Sequence, residues 1–146
     1  TARSLSYLLA LYPNIKQVFV APDELQMGDD IKRYLQDSGI NYDSIDALDD
    51  VLPVADAFYV MRIQDEYSKT SEELRRRYEA FYLNADKVKR MRETACILHP
   101  LPRRAEIPIE IDLDPRAKYW QAVEHGKMMR MALLLYMFGR DELLGR

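Results

Sequence analysis
Two short stretches carry the residue types that could do chemistry. The first is YVMRIQDEY (59–67), where an apolar run gives way to Arg62, Gln64 and Glu66. A guanidinium is a rigid five-donor fork that fits a carboxylate through two parallel hydrogen bonds. Gln64 both donates and accepts, and Glu66 can hold the fork of Arg62 in place. The same residues also suit a solvated surface ion pair, which contributes little. The second stretch is CILHPLPRRAEI (96–107). Here the apolar residues Cys96, Ile97 and Leu98 run into His99, Pro100, Leu101, Pro102 and Arg103. Neither proline has an N–H, and both fix φ, so the segment is stiff and extended. Its carbonyls are then available to accept hydrogen bonds from a ligand amine or amide. A plain strand-to-loop stop accounts for the prolines equally well at this level.

The elements that must position these residues follow from hydrophobic period and punctuation. Helical spacing puts Leu5, Leu8, Leu9 and Tyr12 on one face of 2–12, ended by Pro13. A strand is expected at 16–21. A helix at 27–37 groups Ile31, Tyr34 and Leu35 and stops at Ser38-Gly39. A weaker strand at 40–45 and a short helix at 47–52 follow. DAFYVM (56–61) reads as a strand, 71–79 and 84–92 as helices, and TACIL (94–98) as a strand. After a proline-rich stretch at 99–115, a long helix over 116–138 carries Tyr119, Trp120, Val123, Met131, Leu134, Leu135 and Phe138 as its apolar stripe. Helices alternating with short strands imply βαβ units and a parallel sheet. In such sheets ligands bind beyond the carboxyl ends of the strands. Both chemical stretches begin there.

Composition narrows the classes. The chain has 146 residues, 48% of them hydrophobic and 31% charged, with a net charge of −3. That suits one globular domain and argues against a nucleic-acid binder. No apolar run reaches the roughly 20 residues of a membrane span. One cysteine, Cys96, forms no internal disulfide and points to a reducing compartment. No Cys/His cluster has metal-ligand spacing, and no glycine-rich phosphate loop is present. His125, the acidic Asp46, Asp49 and Asp50, and Arg75 to Arg77 read as solvated or packing residues. The chain starts at Thr1 in a helical pattern, so upstream sequence is expected.

TARSL (1–5), MRIQ (61–64), HPLPR (99–103), and DLDPRAKYW followed by GKMMRMALL (112–134) occur in this order. Together they resemble the C-terminal, aspartate-binding half of aspartate carbamoyltransferase catalytic chains. The HCLP and serine-methionine-glycine motifs of ornithine carbamoyltransferases are not found. The resemblance implies a Rossmann-like three-layer α/β/α fold with a parallel sheet lacking its first strand. Residues 1–146 are then the aspartate-binding domain of a two-domain chain whose carbamoyl-phosphate domain is absent. It implies transfer of the carbamoyl group of carbamoyl phosphate to the amine of L-aspartate in pyrimidine biosynthesis. No metal or organic cofactor is implied; a homotrimer and a cytoplasmic location are. By the same resemblance Arg62 grips a substrate carboxylate, Gln64 supports it, and Thr1 belongs to a Gly-Arg-Thr motif. Pro100, Leu101 and Pro102 hold the carbamoyl group and the amine, with Glu66, His99 and Arg103 in support. No catalytic residue is expected within residues 1–146. Two other readings stand beside this one. Asp65 and Tyr67 differ from the usual family residues, which leaves room for a different amine substrate. A carbamoyltransferase-like domain that binds without turnover is the other.

Overall fold
The computed structural model describes residues 1–62 and 72–145. Gln64, Asp65, Glu66, Tyr67 and Ser71 lie outside the described residues. Among the described residues there are five α-helices and four strands. They are α1 (Ala2–Leu9), β1 (Gln17–Val20), α2 (Asp29–Asp37), β2 (Tyr42–Ile45), β3 (Ala57–Tyr59), α3 (Glu72–Glu79), α4 (Ala85–Arg90), β4 (Cys96–Leu98) and α5 (Tyr119–Met137). The four expected strands and five of the six expected helices are present, most of them shorter than the sequence pattern suggests. The expected helix at 47–52 is a single 3-10 turn, Leu48–Asp50. Another 3-10 segment, Ile109–Leu113, lies inside the stretch read as irregular.

The strands pair in parallel, as the βαβ pattern requires, but in two separate pairs. β1 runs beside β2 with Gln17 opposite Tyr42, and β3 beside β4 with Ala57 opposite Cys96. No ladder joins the two pairs among the described residues. They nevertheless share a core. Val18, Val20 and Ile45 pack against the buried cluster that holds Phe58, Ile97, Ile107, Ile111 and Tyr119. β4 sits at its centre. Beyond β3 on one side, it meets the chain entering α5 on the other, where Ile97 donates to the Arg116 carbonyl at 2.7 Å and Lys118 donates to the Ile97 carbonyl at 2.9 Å.

Local signals set the helix ends. The Asn84 side chain accepts from the Lys87 amide at 2.8 Å and so starts α4. At the end of α2, Gly39 takes a φ of 68°. Gly39 then donates to Gln36 and Ile40 to Leu35, which closes the helix while Ile40 and Leu35 pack together in a second small cluster with Ile31.

Two apolar stripes differ from expectation. On α1, Leu8 faces solvent, as does Tyr12 beyond its end, and the buried residue is Ser6, whose carbonyl accepts from Gln17. On α5 only Tyr119 is buried; Trp120, Val123, Met131, Leu134 and Phe138 are all at least 47% exposed. Apolar side chains lie on every side of α5, so no single face is distinguished by sequence.

Candidate functional site
β3 and β4 are parallel neighbours, so their carboxyl ends emerge side by side. The Val60 amide still donates to the Leu98 carbonyl at 2.9 Å, which carries the pairing to the last residue before each chemical stretch. From there β3 continues into Met61 and Arg62 and β4 into His99 to Pro102. These residues, with Thr1 at the start of α1, line one half-open cavity of about 250 Å³. The structure thus gathers Thr1, Arg62, Pro100, Leu101 and Pro102 from three places in the sequence. Met61, which sequence reasoning passed over, lines the cavity too.

The loop at 100–102 presents acceptors only. Pro100 and Pro102 have no N–H. The Leu101 N–H is taken up by Nδ1 of His99 at 2.8 Å. Leu101 has a φ of 52°, an unfavourable left-handed conformation for a leucine, and this hydrogen bond helps to hold it. Among the described residues no backbone amide donates to the carbonyls of Pro100, Leu101 or Pro102. The Leu101–Pro102 peptide bond is cis.

His99 itself is buried, and its ring is a support beneath the loop. Nε2 lies 2.9 Å from Oε1 of Glu106, which is also buried. The same oxygen accepts from the Arg104 amide at 2.9 Å. Since Nδ1 accepts from Leu101, the proton of the neutral ring sits on Nε2. Burial holds His99 below the usual histidine range; the hydrogen bond to Glu106 opposes this, and the charges of Arg103 and Arg62 add to it. An imidazolium would also turn an N–H against the Leu101 N–H. Glu106 is the buried partner of His99 that sequence reasoning missed. A glutamate between Ala105 and Ile107 in an irregular stretch carries no periodic signal, and only the turn brings it under His99.

Arg103 points away from the cavity. Its guanidinium donates to the Ile107 carbonyl at 2.8 Å and to Asp112 at 2.6 Å. Asp112 also accepts from the Tyr119 hydroxyl. Burial, with that hydrogen bond, raises the Tyr119 phenol well above its ordinary range. The Cys96 thiol is raised by burial as well, which leaves it a weak nucleophile.

A guanidinium-bearing residue and a loop that offers only backbone acceptors line one cavity, and that combination is suited to a small zwitterion, with the carboxylate at one end and the amine at the other. Residues 1–137 match the family model for the aspartate/ornithine carbamoyltransferase Asp/Orn binding domain. The chain is 37% identical over 95% of its length to the aspartate carbamoyltransferase catalytic subunit of Finegoldia magna, of which it covers 45%. It is 42% identical over 96% of its length to the chloroplastic aspartate carbamoyltransferase of Oryza sativa subsp. japonica, covering 39% of that protein. Aspartate transcarbamoylase of Trypanosoma cruzi in complex with carbamoyl phosphate superposes with a TM-score of 0.81 at 32% identity, over 92% of this chain and 44% of that one. Its complex with N-(phosphonacetyl)-L-aspartic acid superposes with a TM-score of 0.81 at 31% identity, over 91% of this chain and 44% of that one. The chain therefore spans less than half the length of these relatives. It has their Rossmann-like α/β fold, and it belongs to the aspartate/ornithine carbamoyltransferase family as that family's Asp/Orn binding domain.

Proposed function
We propose that this chain is the aspartate-binding half of an aspartate carbamoyltransferase. In the reaction, the amine of L-aspartate attacks the carbonyl carbon of carbamoyl phosphate. A C–N bond forms, the bond from carbon to the bridging phosphate oxygen breaks, and the amine loses a proton. The products are N-carbamoyl-L-aspartate and phosphate, an early step of pyrimidine biosynthesis. Catalysis in such a site rests on positioning and electrostatic stabilisation. Arg62 takes a substrate carboxylate in its fork. The carbonyls of residues 100–102 accept from the attacking amine and the carbamoyl NH2. Thr1 lines the same cavity, and Gln64 and Glu66 support the carboxylate site. The observation that carries this reading is the single cavity shared by Arg62 and the acceptor-only loop.

The other substrate, carbamoyl phosphate, belongs in this proposal to an N-terminal domain of the parent chain. The exposed apolar surface of α5 supports such a partner, because large exposed apolar patches mark contacts with other domains or chains. Assembly as a homotrimer and residence in the cytoplasm complete the proposal. The single cysteine is the feature that favours a reducing compartment. By itself this chain is expected to carry out no carbamoyl transfer.

Arg62→Ala in the parent enzyme tests the assignment. Loss of a bidentate carboxylate partner should lower kcat/KM for aspartate by about 100-fold, mostly through KM. An unchanged kcat/KM would remove Arg62 from the site.

A further inference from the structure
We propose that Glu106 is a positioning residue of this site, acting through the tautomer of His99 to aim the carbonyls of the 100–102 loop. The inference rests on the carbamoyltransferase reading for its kinetic part and on geometry for the rest. Three groups form a line. Oε1 of Glu106 lies 2.9 Å from Nε2 of His99, and Nδ1 of His99 accepts from the Leu101 amide at 2.8 Å. All but a few per cent of the surface of both His99 and Glu106 is buried.

The logic is that of a fixed proton. A neutral imidazole carries one N–H, on either nitrogen. Glu106 offers Nε2 only an acceptor, so the proton stays on Nε2. Nδ1 is then left with a lone pair, and the Leu101 N–H is the donor that fills it. With that amide occupied and prolines on both sides, every backbone polar group of residues 100–102 that remains is a carbonyl. The other tautomer would set Nδ1–H against the Leu101 N–H. The loop would have to turn, and the left-handed φ of Leu101 would lose its support. Glu106 is itself anchored at both ends. Its Oε1 accepts from the Arg104 amide at 2.9 Å, and its carbonyl accepts from the Leu83 amide at 2.9 Å. Glu106 does not line the cavity. Its effect therefore passes through His99.

Acceptor geometry, not charge, is what the role demands. Glu106→Gln keeps an oxygen that accepts from both His99 and the Arg104 amide. Glu106→Ala removes it. The test uses the full-length parent enzyme, assayed for carbamoyl transfer to aspartate, together with 15N spectra of histidine-labelled protein. Wild type and Glu106→Gln should both show His99 as the neutral Nε2–H form, and Glu106→Gln should keep kcat within about threefold. Glu106→Ala should lose that signature and about 100-fold in kcat, the scale of a loop misplaced by an ångström, with KM for aspartate changed far less. A folded Glu106→Ala enzyme with normal kcat overturns the proposal. So does a wild-type His99 found as Nδ1–H or imidazolium, which is readable even where Glu106→Ala fails to fold. Loss of kcat in Glu106→Gln with the tautomer intact overturns it too. A wild-type parent with no carbamoyl transfer would instead refute the function while the spectra still decide the tautomer.

Discussion

Arg103 and Asp112 form a part-buried pair that ties the end of the loop to the 3-10 segment Ile109–Leu113 ahead of α5. The guanidinium reaches Asp112 at 2.6 Å and lies 5.8 Å from the centre of the Tyr119 ring and 6.0 Å from that of Trp120. Asp112 in turn accepts from the Tyr119 hydroxyl. The conspicuous arginine of the HPLPR stretch is thus spent on structure. Arg103→Lys keeps the charge but cannot reach both Ile107 and Asp112. It should destabilise the fold by about 2 kcal/mol, read as a lower urea midpoint with unchanged slope. A midpoint equal to wild type would contradict this role.

Ile97 is fully buried between β3 and the chain entering α5. Its removal leaves a cavity at the point where the site's two arms are held together. Ile97→Ala should cost about 2–5 kcal/mol. Equilibrium unfolding measures it directly, and a cost under about 1 kcal/mol would show that β4 is not the centre of the core.

The His99 ring is neutral in the fold, and its pKa is held down mainly by burial. The unfolded chain takes up that proton near the ordinary value of about 6.5. Below this pH the unfolded state binds more protons, so the stability given by neutral His99 is present above about pH 6.5 and is lost as pH falls toward the lower folded value. His99→Asn keeps an acceptor near Leu101 and does not titrate in this range. Wild type should therefore lose more stability than His99→Asn between pH 7.5 and pH 5. Parallel pH profiles of the two would contradict a neutral, buried His99.

On α5, Leu134 is 54% exposed in this chain. Leu134→Glu should change the stability of residues 1–146 by no more than about 0.5 kcal/mol. In the parent protein, where another domain is proposed to cover α5, the same change buries a carboxylate and should cost about 3 kcal/mol. Urea midpoints of the two forms give the comparison. Equal, small effects in both would leave α5 without a partner.

What sequence made legible has a physical pattern. Arg62 and the HPLPR loop announce themselves because each breaks an apolar run at a strand's end, and parallel neighbours bring such ends together. Gly39 marks the end of α2 because few other residues take a positive φ. The apolar stripe of α5 was not legible, since apolar residues on all sides let a stripe be drawn anywhere. The division into two strand pairs was also hidden, because period and punctuation give the strands but not which neighbours they lack. Glu106 was hidden for the opposite reason. Its meaning lies in one tertiary hydrogen bond across seven residues of irregular chain, where no local spacing applies.

The measurement closest to the central claim is carbamoyl transfer by the full-length parent chain, with carbamoyl phosphate and a panel of amines that includes aspartate and ornithine. Turnover with aspartate and not with ornithine is the result expected. Preferential turnover of ornithine or another amine, or none with any amine from a folded protein, would contradict it.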